Sequence, residues 1–178
     1  MKYRIALLSC LFIMMMGSAC AQVGRYRGSI GLGLFLDCQL RTQGTNGINT
    51  GVCALGGSLV AEGQIDHIWS YRLSGDIHGL FPRQGYDRKA KASADFKINI
   101  FNALSGERQR DNVYALLGAG VAYSVAGVDG ICFSMQAGAG YSYWLTKNFG
   151  LYAEYLLTAL GSSSIISGAL CVGGMLAL

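Results

Sequence analysis

Apolar and polar side chains alternate along most of this chain with a period of two residues. From Gly28 to Leu40, the even positions carry mainly large apolar side chains and the odd positions carry mostly small or polar ones, with Phe35 as the exception. A β-strand directs successive side chains to opposite faces, whereas a helix would distribute both sets around its surface. The alternation therefore predicts an amphipathic strand in this segment.

The same period recurs further along the chain and is weakest in the second segment. Eight strands are predicted: Gly28 to Leu40, Gly51 to Glu62, Trp69 to His78, Lys91 to Ile100, Val113 to Ser124, Phe133 to Tyr143, Phe149 to Thr158 and Ile166 to Leu178. An even number of short alternating strands is typical of an antiparallel up-and-down barrel that crosses a membrane.

Three charge-free segments also allow a helical membrane protein as an alternative. They run from Asn112 to Val128, from Gly130 to Thr146 and from Tyr155 to Leu178. Each is long enough to be considered as a transmembrane helix. Helices and closed barrels are the two structures that satisfy every backbone group in lipid. Because the period of two continues through these segments, we predict an all-β fold, a transmembrane eight-stranded antiparallel up-and-down β-barrel.

Charged side chains within the predicted strands, together with Arg27 just before the first strand, all occupy the face opposite the apolar set. These nine residues are Arg27, Asp37, Glu62, Arg72, Asp76, Lys91, Asp95, Lys97 and Glu154. An Arg or Lys that faces lipid at the membrane midplane costs about 2–4 kcal/mol, so this placement has a physical cause. A soluble β-sandwich would need well-charged outer faces, but here the polar faces are mostly Gly, Ser and Ala.

The predicted interior charges are nearly balanced, with four positive and five negative side chains. Buried charges have to be paired, because the low dielectric of the interior penalises an isolated ion. We therefore expect a salt-bridged polar network that keeps the lumen mostly closed. Glu154 is expected to pair across the lumen with an Arg or Lys that the alternation does not specify.

Composition agrees with a membrane protein. Hydrophobic residues make up 52% of the 178 residues and charged residues only 13%, compared with about 25% in typical soluble domains. The formal net charge of +4 falls by two, to +2, when Lys2 and Arg4 leave with the predicted signal peptide. This small charge leaves no electrostatic footprint for nucleic acid, which we do not expect as a partner.

Residues 1–21 are predicted to form a signal peptide. Lys2 and Arg4 precede an apolar stretch from Ile5 to Met16, and Ala19-Cys20-Ala21 is a small-x-small cleavage site. The barrel domain would then cover residues 22–178. Gly17-Ser18-Ala19-Cys20 also resembles the box at which bacterial lipoproteins are acylated, so lipidation of Cys20 is the alternative.

Cysteine positions in the first hairpin predict a disulfide in an oxidising compartment. Pairing Cys38 with Cys53 also pairs Leu36 with Leu55 on the outward face. Directly opposite residues in an antiparallel pair have Cα atoms about 4.5–5.5 Å apart, a separation that a disulfide accepts. The alternative is that the cysteines act only as small apolar fillers.

The remaining mature cysteines predict no metal site. Cys132 and Cys171 face inward on strands that are not neighbours, so both are expected to be free thiols. The chain contains no Cys-x-x-Cys pair, which makes a zinc site a poor interpretation. We expect no metal and no cofactor.

Successive connections of such a barrel alternate between the two sides of the membrane. Four are predicted outside: Arg41 to Thr50, Pro82 to Lys89, Ala126 to Gly130 and Ala159 to Ser164. Three are predicted in the periplasm: Gly63 to Ile68, Ala103 to Asp111 and Leu145 to Asn148. Arg83, Arg88 and Lys89 would then lie near the outer headgroups and pair with lipopolysaccharide phosphates, unless they are simply solvated loop charges.

Several short motifs resemble those of small outer-membrane barrels. Leu117-Gly-Ala-Gly-Val, Ala137-Gly-Ala-Gly-Tyr and Phe149-Gly-Leu-Tyr-Ala-Glu-Tyr, together with the strands and signal peptide, are similar to the OmpX type and the OmpA transmembrane-domain type, in a Bacteroidota-like porin family version. Gly173-Gly-Met-Leu-Ala-Leu178 is similar to the insertion signal of that family, with Leu178 in place of the terminal aromatic residue. The resemblance implies a bacterial outer-membrane location, contact with lipid and lipopolysaccharide, and assembly by periplasmic chaperones and the barrel-insertion machinery.

Function has to be argued from sites, because this fold hosts structural proteins, adhesins and enzymes. We predict a non-enzymatic protein with a structural or surface-interaction role and an unidentified surface ligand. A narrow or gated pore for small solutes is one alternative, and a lipid A-modifying enzyme based on Ser74, Asp76 and His78 is another. Inward residues on one strand are about 6–7 Å apart, so these three do not form a triad by adjacency. His78 is expected to join the interior polar network.

Overall fold

The structure is a computed structural model that describes residues 28–42, 48–81, 88–106, 110–124, 130–161 and 165–178. The predicted signal peptide at residues 1–21, including Cys20, lies outside the described residues, as do Arg27 and Arg83.

Eight antiparallel strands follow one another in chain order and close into one barrel. The strands are β1 (Gly28–Thr42), β2 (Ile48–Gln64), β3 (Trp69–His78), β4 (Lys89–Asn99), β5 (Asp111–Ser124), β6 (Ile131–Trp144), β7 (Phe149–Leu160) and β8 (Ile165–Ala177). The barrel closes where β1 pairs with β8, from Ser29 opposite Ala177 to Arg41 opposite Ile165. The predicted all-β up-and-down barrel is therefore confirmed.

The helical alternative is wrong. The three charge-free segments form β5, β6 and the pair β7 and β8. Within the described part of the chain, no helix is long and apolar enough to cross a membrane. In β5 and β6, the glycines that helped these segments look uniformly apolar lie on the inner face of the barrel, where side chains and backbone of neighbouring strands need the room: Gly118, Gly120, Gly138 and Gly140.

The outward face of the barrel is apolar and exposed. Side chains in β4 and β7 alternate strictly between buried and exposed. Leu32, Leu117 and Phe133 have exposed fractions of 69%, 63% and 56%. A soluble protein rarely exposes a contiguous apolar surface of this extent. The exterior is therefore the lipid-facing surface of a transmembrane barrel.

One connection contains a helix that the sequence pattern did not predict. The pattern extended the fourth strand to Ile100 and placed a turn from Ala103 to Asp111, but β4 ends at Asn99 and a short helix, α1 (Ile100–Ser105), follows. Gly106 ends this helix with a φ of 72°, which glycine adopts without a steric penalty. A full helical turn thus explains why this connection is long.

Two four-residue turns lie at the same end of the barrel as α1. In the first, Asp66 Oδ1 accepts hydrogen bonds from the backbone N–H groups of Ile68 at 2.7 Å and Trp69 at 2.6 Å. The hydrogen bond from Trp69 holds the pKa of Asp66 below its ordinary value, because it stabilises the ionised carboxylate. In the second, Thr146 Oγ1 accepts from the N–H of Phe149 at 2.9 Å. A polar side chain at the second turn position thus replaces water as the backbone's partner in both turns.

The two ends of the barrel differ in their connections. The end that we call the terminal end carries these two turns, α1, Gly28 and Leu178. There the backbone N–H of Leu178 donates to the carbonyl of Gly28 at 2.8 Å. The loop end carries the connections between β1 and β2, β3 and β4, β5 and β6, and β7 and β8. The predicted outside and periplasmic connections therefore separate onto opposite ends. Which end faces the cell exterior stays a prediction.

The register of the first hairpin matches the predicted pairing. Cys38 lies opposite Cys53, and Leu36 lies opposite Leu55. The two sulfurs are bonded in the structure, with a sequence separation of 15 residues. Cys132 and Cys171 are free cysteines.

We predict that the exported protein contains the Cys38 to Cys53 disulfide. Closing a loop of this length contributes about 3 kcal/mol to stability in the chain-entropy model. Peptide mapping after alkylation in denaturant without reductant should recover one peptide that joins both cysteines. Cys132 and Cys171 are the internal control, because both should alkylate in the same sample. Alkylation of Cys38 and Cys53 under these conditions would contradict the prediction.

Candidate functional site

The lumen of the barrel is filled by side chains. The structure describes eight of the nine charged residues predicted to be inside, and all eight point into the lumen: Asp37, Glu62, Arg72, Asp76, Lys91, Asp95, Lys97 and Glu154. Glu62 has the most exposed side chain among those in ion pairs, at 13%. Charges buried to this degree are tolerated only when they are paired and hydrogen-bonded.

Arg72 links opposite walls of the barrel at the centre of the interior. Its Nε donates to Asp95 Oδ2 at 3.0 Å, and its Nη1 donates to Glu154 Oε2 at 2.5 Å. Asp95 is the direct cross-strand neighbour of Arg72, whereas Glu154 stands on β7, 82 residues away in sequence. Tyr114 on β5 donates its hydroxyl to the same Glu154 oxygen at 2.9 Å. The cross-lumen partner of Glu154 is therefore Arg72.

A second group extends this cluster toward the loop end. Lys91 Nζ lies 3.1 Å from Asp76 Oδ2 and donates to Gln136 Oε1 at 2.5 Å. The amide nitrogen of Gln136 donates to Asp95 Oδ1 and, at 3.0 Å, to Ser93 Oγ. Gln136 thus connects the Arg72 group to the Lys91 ion pair, so the network is continuous across β3, β4, β6 and β7.

Lys97 occupies the terminal side of the central cluster. Its Nζ donates to Glu62 Oε2 at 2.8 Å and lies 3.9 Å from the centroid of the Tyr114 ring. A cation over an aromatic face gains electrostatic attraction, most strongly where water is excluded. Beyond it, Asn112 donates to Asn99 at 2.6 Å, and Asn99 donates to Ser70 at 2.9 Å. Neutral amides therefore continue the network to the terminal end.

Glycines on the inner face provide the space that these large groups need. A Cβ added at Gly118 would collide with the carboxylate of Asp95, and one added at Gly140 would collide with the ring of Tyr114. The two residues come from the Gly-rich repeats of β5 and β6. Their role in the lumen is steric, because no larger residue fits beside the ion cluster.

The residues of the enzyme alternative do not form a catalytic arrangement. His78 Nδ1 lies 2.8 Å from Asp37 Oδ2 on β1, and its ring packs 4.7 Å from the ring of Phe35. Ser74 Oγ lies 2.6 Å from Ser93 Oγ and donates to Asp76 at 3.4 Å. Ser74 therefore contacts Ser93 and Asp76, whereas His78 joins the interior network through a different aspartate, Asp37.

The structure describes two of the three residues predicted to contact lipopolysaccharide, Arg88 and Lys89. Lys89 is the first residue of β4, its exposed fraction is 6%, and it lies opposite His78 on the inner face. The inward side chain of Lys89 differs from the headgroup position expected for it. The alternation that places Lys91 and Lys97 on the inner face of β4 extends to residue 89. Arg88 is half-buried at the loop end.

An apolar cluster in the lumen was missed by the sequence analysis. It draws three residues from β8, two each from β5 and β7, and one from β1: Phe35, Tyr114, Leu116, Tyr152, Leu156, Ala169, Cys171 and Met175. Extending the strict period of two would have placed Leu116, Leu156 and Met175 inside. The interior therefore has an ionic side around β3 and β4 and an apolar side around β8.

Small cavities lie between the described side chains, among them three with volumes of about 20, 10 and 20 Å³. A water molecule needs at least about 10–15 Å³, so each of these cavities has room for about one water molecule. Among the described residues, no cluster of His, Cys, Asp or Glu could hold a metal ion.

Comparison with known proteins identifies the fold. The sequence matches no protein-family model and no curated protein. The solved Neisserial surface protein A has a TM-score of 0.62 and 13% identity, over 84% of this chain and 96% of that chain. Ail, the attachment invasion locus protein of Yersinia pestis, has a TM-score of 0.54 and 17% identity, over 85% and 98%. The outer membrane protein OprG of Pseudomonas aeruginosa has a TM-score of 0.56 and 8% identity, over 86% and 95%.

At these identities the similarity concerns the fold alone. Each solved barrel is covered almost completely, so the described strands account for a whole small barrel. The narrower resemblance to the OmpX and OmpA types and to a Bacteroidota-like version stays a prediction. The chain has the fold of the small bacterial outer-membrane β-barrels.

Proposed function

We propose that this protein is a non-enzymatic integral protein of the bacterial outer membrane, with a structural or surface-interaction role and a closed polar interior. The bridge from Arg72 to Glu154 carries the proposal, because it spans the lumen at its centre. A solute that crossed the barrel would have to separate Arg72 from Glu154 and Asp95. Each of these side chains would then be a buried charge without its partner, which is strongly unfavourable.

A surface role is compatible with the solved barrels that share the fold. Two of them are described as a surface protein and as an attachment invasion locus protein. On this chain, Arg88 lies at the loop end, where it would meet lipopolysaccharide phosphates.

We predict that the wild-type protein gives no discrete conductance steps in planar lipid bilayers. The double variant Arg72→Ala/Glu154→Ala should give small, reproducible steps, because it removes the side chains that close the centre of the lumen. Single-channel recording at matched protein amounts measures both. Conductance steps from the wild-type protein would instead support the gated-pore alternative.

The matched control for this experiment retains volume while removing charge. In Arg72→Met/Glu154→Gln, side chains of similar length still fill the centre of the lumen, so the barrel should stay silent. If this control conducts like the double alanine variant, the ion pair and not the filled volume closes the lumen. If the double alanine variant is silent, the Arg72 to Glu154 bridge is not the barrier.

We also predict that Glu154→Leu lowers the free energy of unfolding by about 3–5 kcal/mol, because it leaves Arg72 without one of its two carboxylates and Tyr114 without its acceptor. Equilibrium unfolding in guanidinium, with the barrel in phospholipid vesicles, measures the loss.

Thr158→Val is the control for the Glu154 variant. Thr158 faces inward on the same strand, is 5% exposed and takes part in no ion pair among the described residues. Its replacement should cost about 1 kcal/mol or less. Similar losses in the two variants would show that the ion cluster has no special weight in stability.

A further inference from the structure

The helix α1 exposes an apolar face at the terminal end of the barrel. Ile100 and Phe101 are each 37% exposed, and Leu104 is 80% exposed. Asn102, in the middle of the helix, is only 3% exposed. Asn102 is therefore buried while the large apolar side chains of this helix are exposed, which is the reverse of a helix on a soluble protein.

Helical geometry and one hydrogen bond fix this orientation. With 3.6 residues per turn, Leu104 lies almost directly above Ile100, and Asn102 lies on the opposite side of the helix. Asn102 Nδ2 donates to the carbonyl of His67 at 2.8 Å, in the neighbouring turn. Asn102 also lines the cavity at the terminal mouth of the lumen. The apolar face of α1 is consequently directed away from the lumen.

The exposed face of α1 continues the lipid-facing surface of β4. The outward residues Phe96 and Ile98 are 49% and 37% exposed, and Ile100 follows them at the start of the helix. The ring of Trp69 packs against Phe96, with centroids 5.2 Å apart. Aromatic side chains of this kind mark the boundary between acyl chains and headgroups in outer-membrane barrels. The helix therefore begins where the apolar belt ends.

We propose that α1 is an interfacial anchor, in which Ile100, Phe101 and Leu104 insert into the membrane leaflet at the terminal end of the barrel. The occupant of this face is lipid and not a protein partner, because the face is continuous with the membrane belt. A short amphipathic helix of this type lies in the plane of the interface with its apolar side at the headgroup and acyl boundary. The same insertion would hold Asn102 over the mouth of the lumen.

Site-directed fluorescence labelling tests the proposal in the full barrel. In a Cys132→Ser/Cys171→Ala background, Leu104→Cys and Lys147→Cys are labelled separately with an environment-sensitive NBD probe, without reductant, so that the first hairpin keeps its disulfide. Lys147 is the control, because it is exposed in a turn at the same end of the barrel and is not part of α1. Both proteins are reconstituted into phosphatidylethanolamine and phosphatidylglycerol vesicles. Quenching of the NBD fluorescence by a nitroxide on the fifth acyl carbon of the lipid measures contact with lipid. Quenching by iodide in the buffer measures contact with water.

The probe at residue 104 should emit at shorter wavelength and be quenched by lipid nitroxide about twofold more strongly than the probe at residue 147, because only the apolar face of α1 reaches the acyl boundary in the proposal. Iodide should show the opposite order. Equal responses at the two positions would overturn the proposal. A response at residue 104 that grows with the protein-to-lipid ratio would overturn it in favour of contact with a second copy.

Heat-modified migration on gels verifies that each labelled barrel is folded before its fluorescence is compared. If the labelled Leu104→Cys protein does not fold, Phe101→Cys takes its place in the same comparison with Lys147→Cys. Phe101 belongs to the same face and is less exposed. Its probe should therefore show the same preference for lipid nitroxide over iodide, and the absence of that preference would overturn the proposal.

Discussion

The constraint on which this structure depends is that a strand in lipid must pair along both edges. Hydrocarbon offers no partner to a backbone N–H or C=O group, and each unpaired group costs several kcal/mol. The pairing of β1 with β8 removes the last two open edges. Closing the sheet with eight strands also sets the width of the lumen, which is just large enough for side chains to fill. The apolar exterior and the filled interior are both consequences of this closure.

The narrow lumen then determines how the interior charges are arranged. Polar residues cannot face lipid, so they point inward, where too little water remains to solvate them. Arg72 forms ion pairs with two carboxylates, that of Asp95 on the adjacent strand and that of Glu154 on the opposite wall. Gln136 and Tyr114 supply the remaining hydrogen bonds to those carboxylates. Such a buried ion cluster does not make the barrel more stable than a well-packed apolar core would. Removing one charged side chain from the cluster, however, would leave its partners as buried charges without compensation.

The terminal end connects the lumen to the membrane surface. The hydrogen bond from Asn102 to His67 ties α1 to the adjacent turn, and the amides of Asn99 and Asn112 lie just inside it. On its other side, the helix presents Leu104 at the level where the apolar belt ends. A single six-residue helix therefore has one polar contact with the interior and one apolar face toward the leaflet.

The sequence by itself determined which face each side chain occupies, because a strand has a fixed period of two and the cost of placing a charge in lipid forces the polar set inward. The same period, with one hairpin register, was enough to pair Cys38 with Cys53.

Other features depended on tertiary structure. The choice of Arg72 as the partner of Glu154 and the contact of His78 with Asp37 depend on how the strands stagger when the barrel closes. Local alternation carries no information about that stagger. The same is true of α1, since six residues after β4 form a stable helix only when Asn102 finds a partner in another turn and the apolar side chains find a surface outside the lumen.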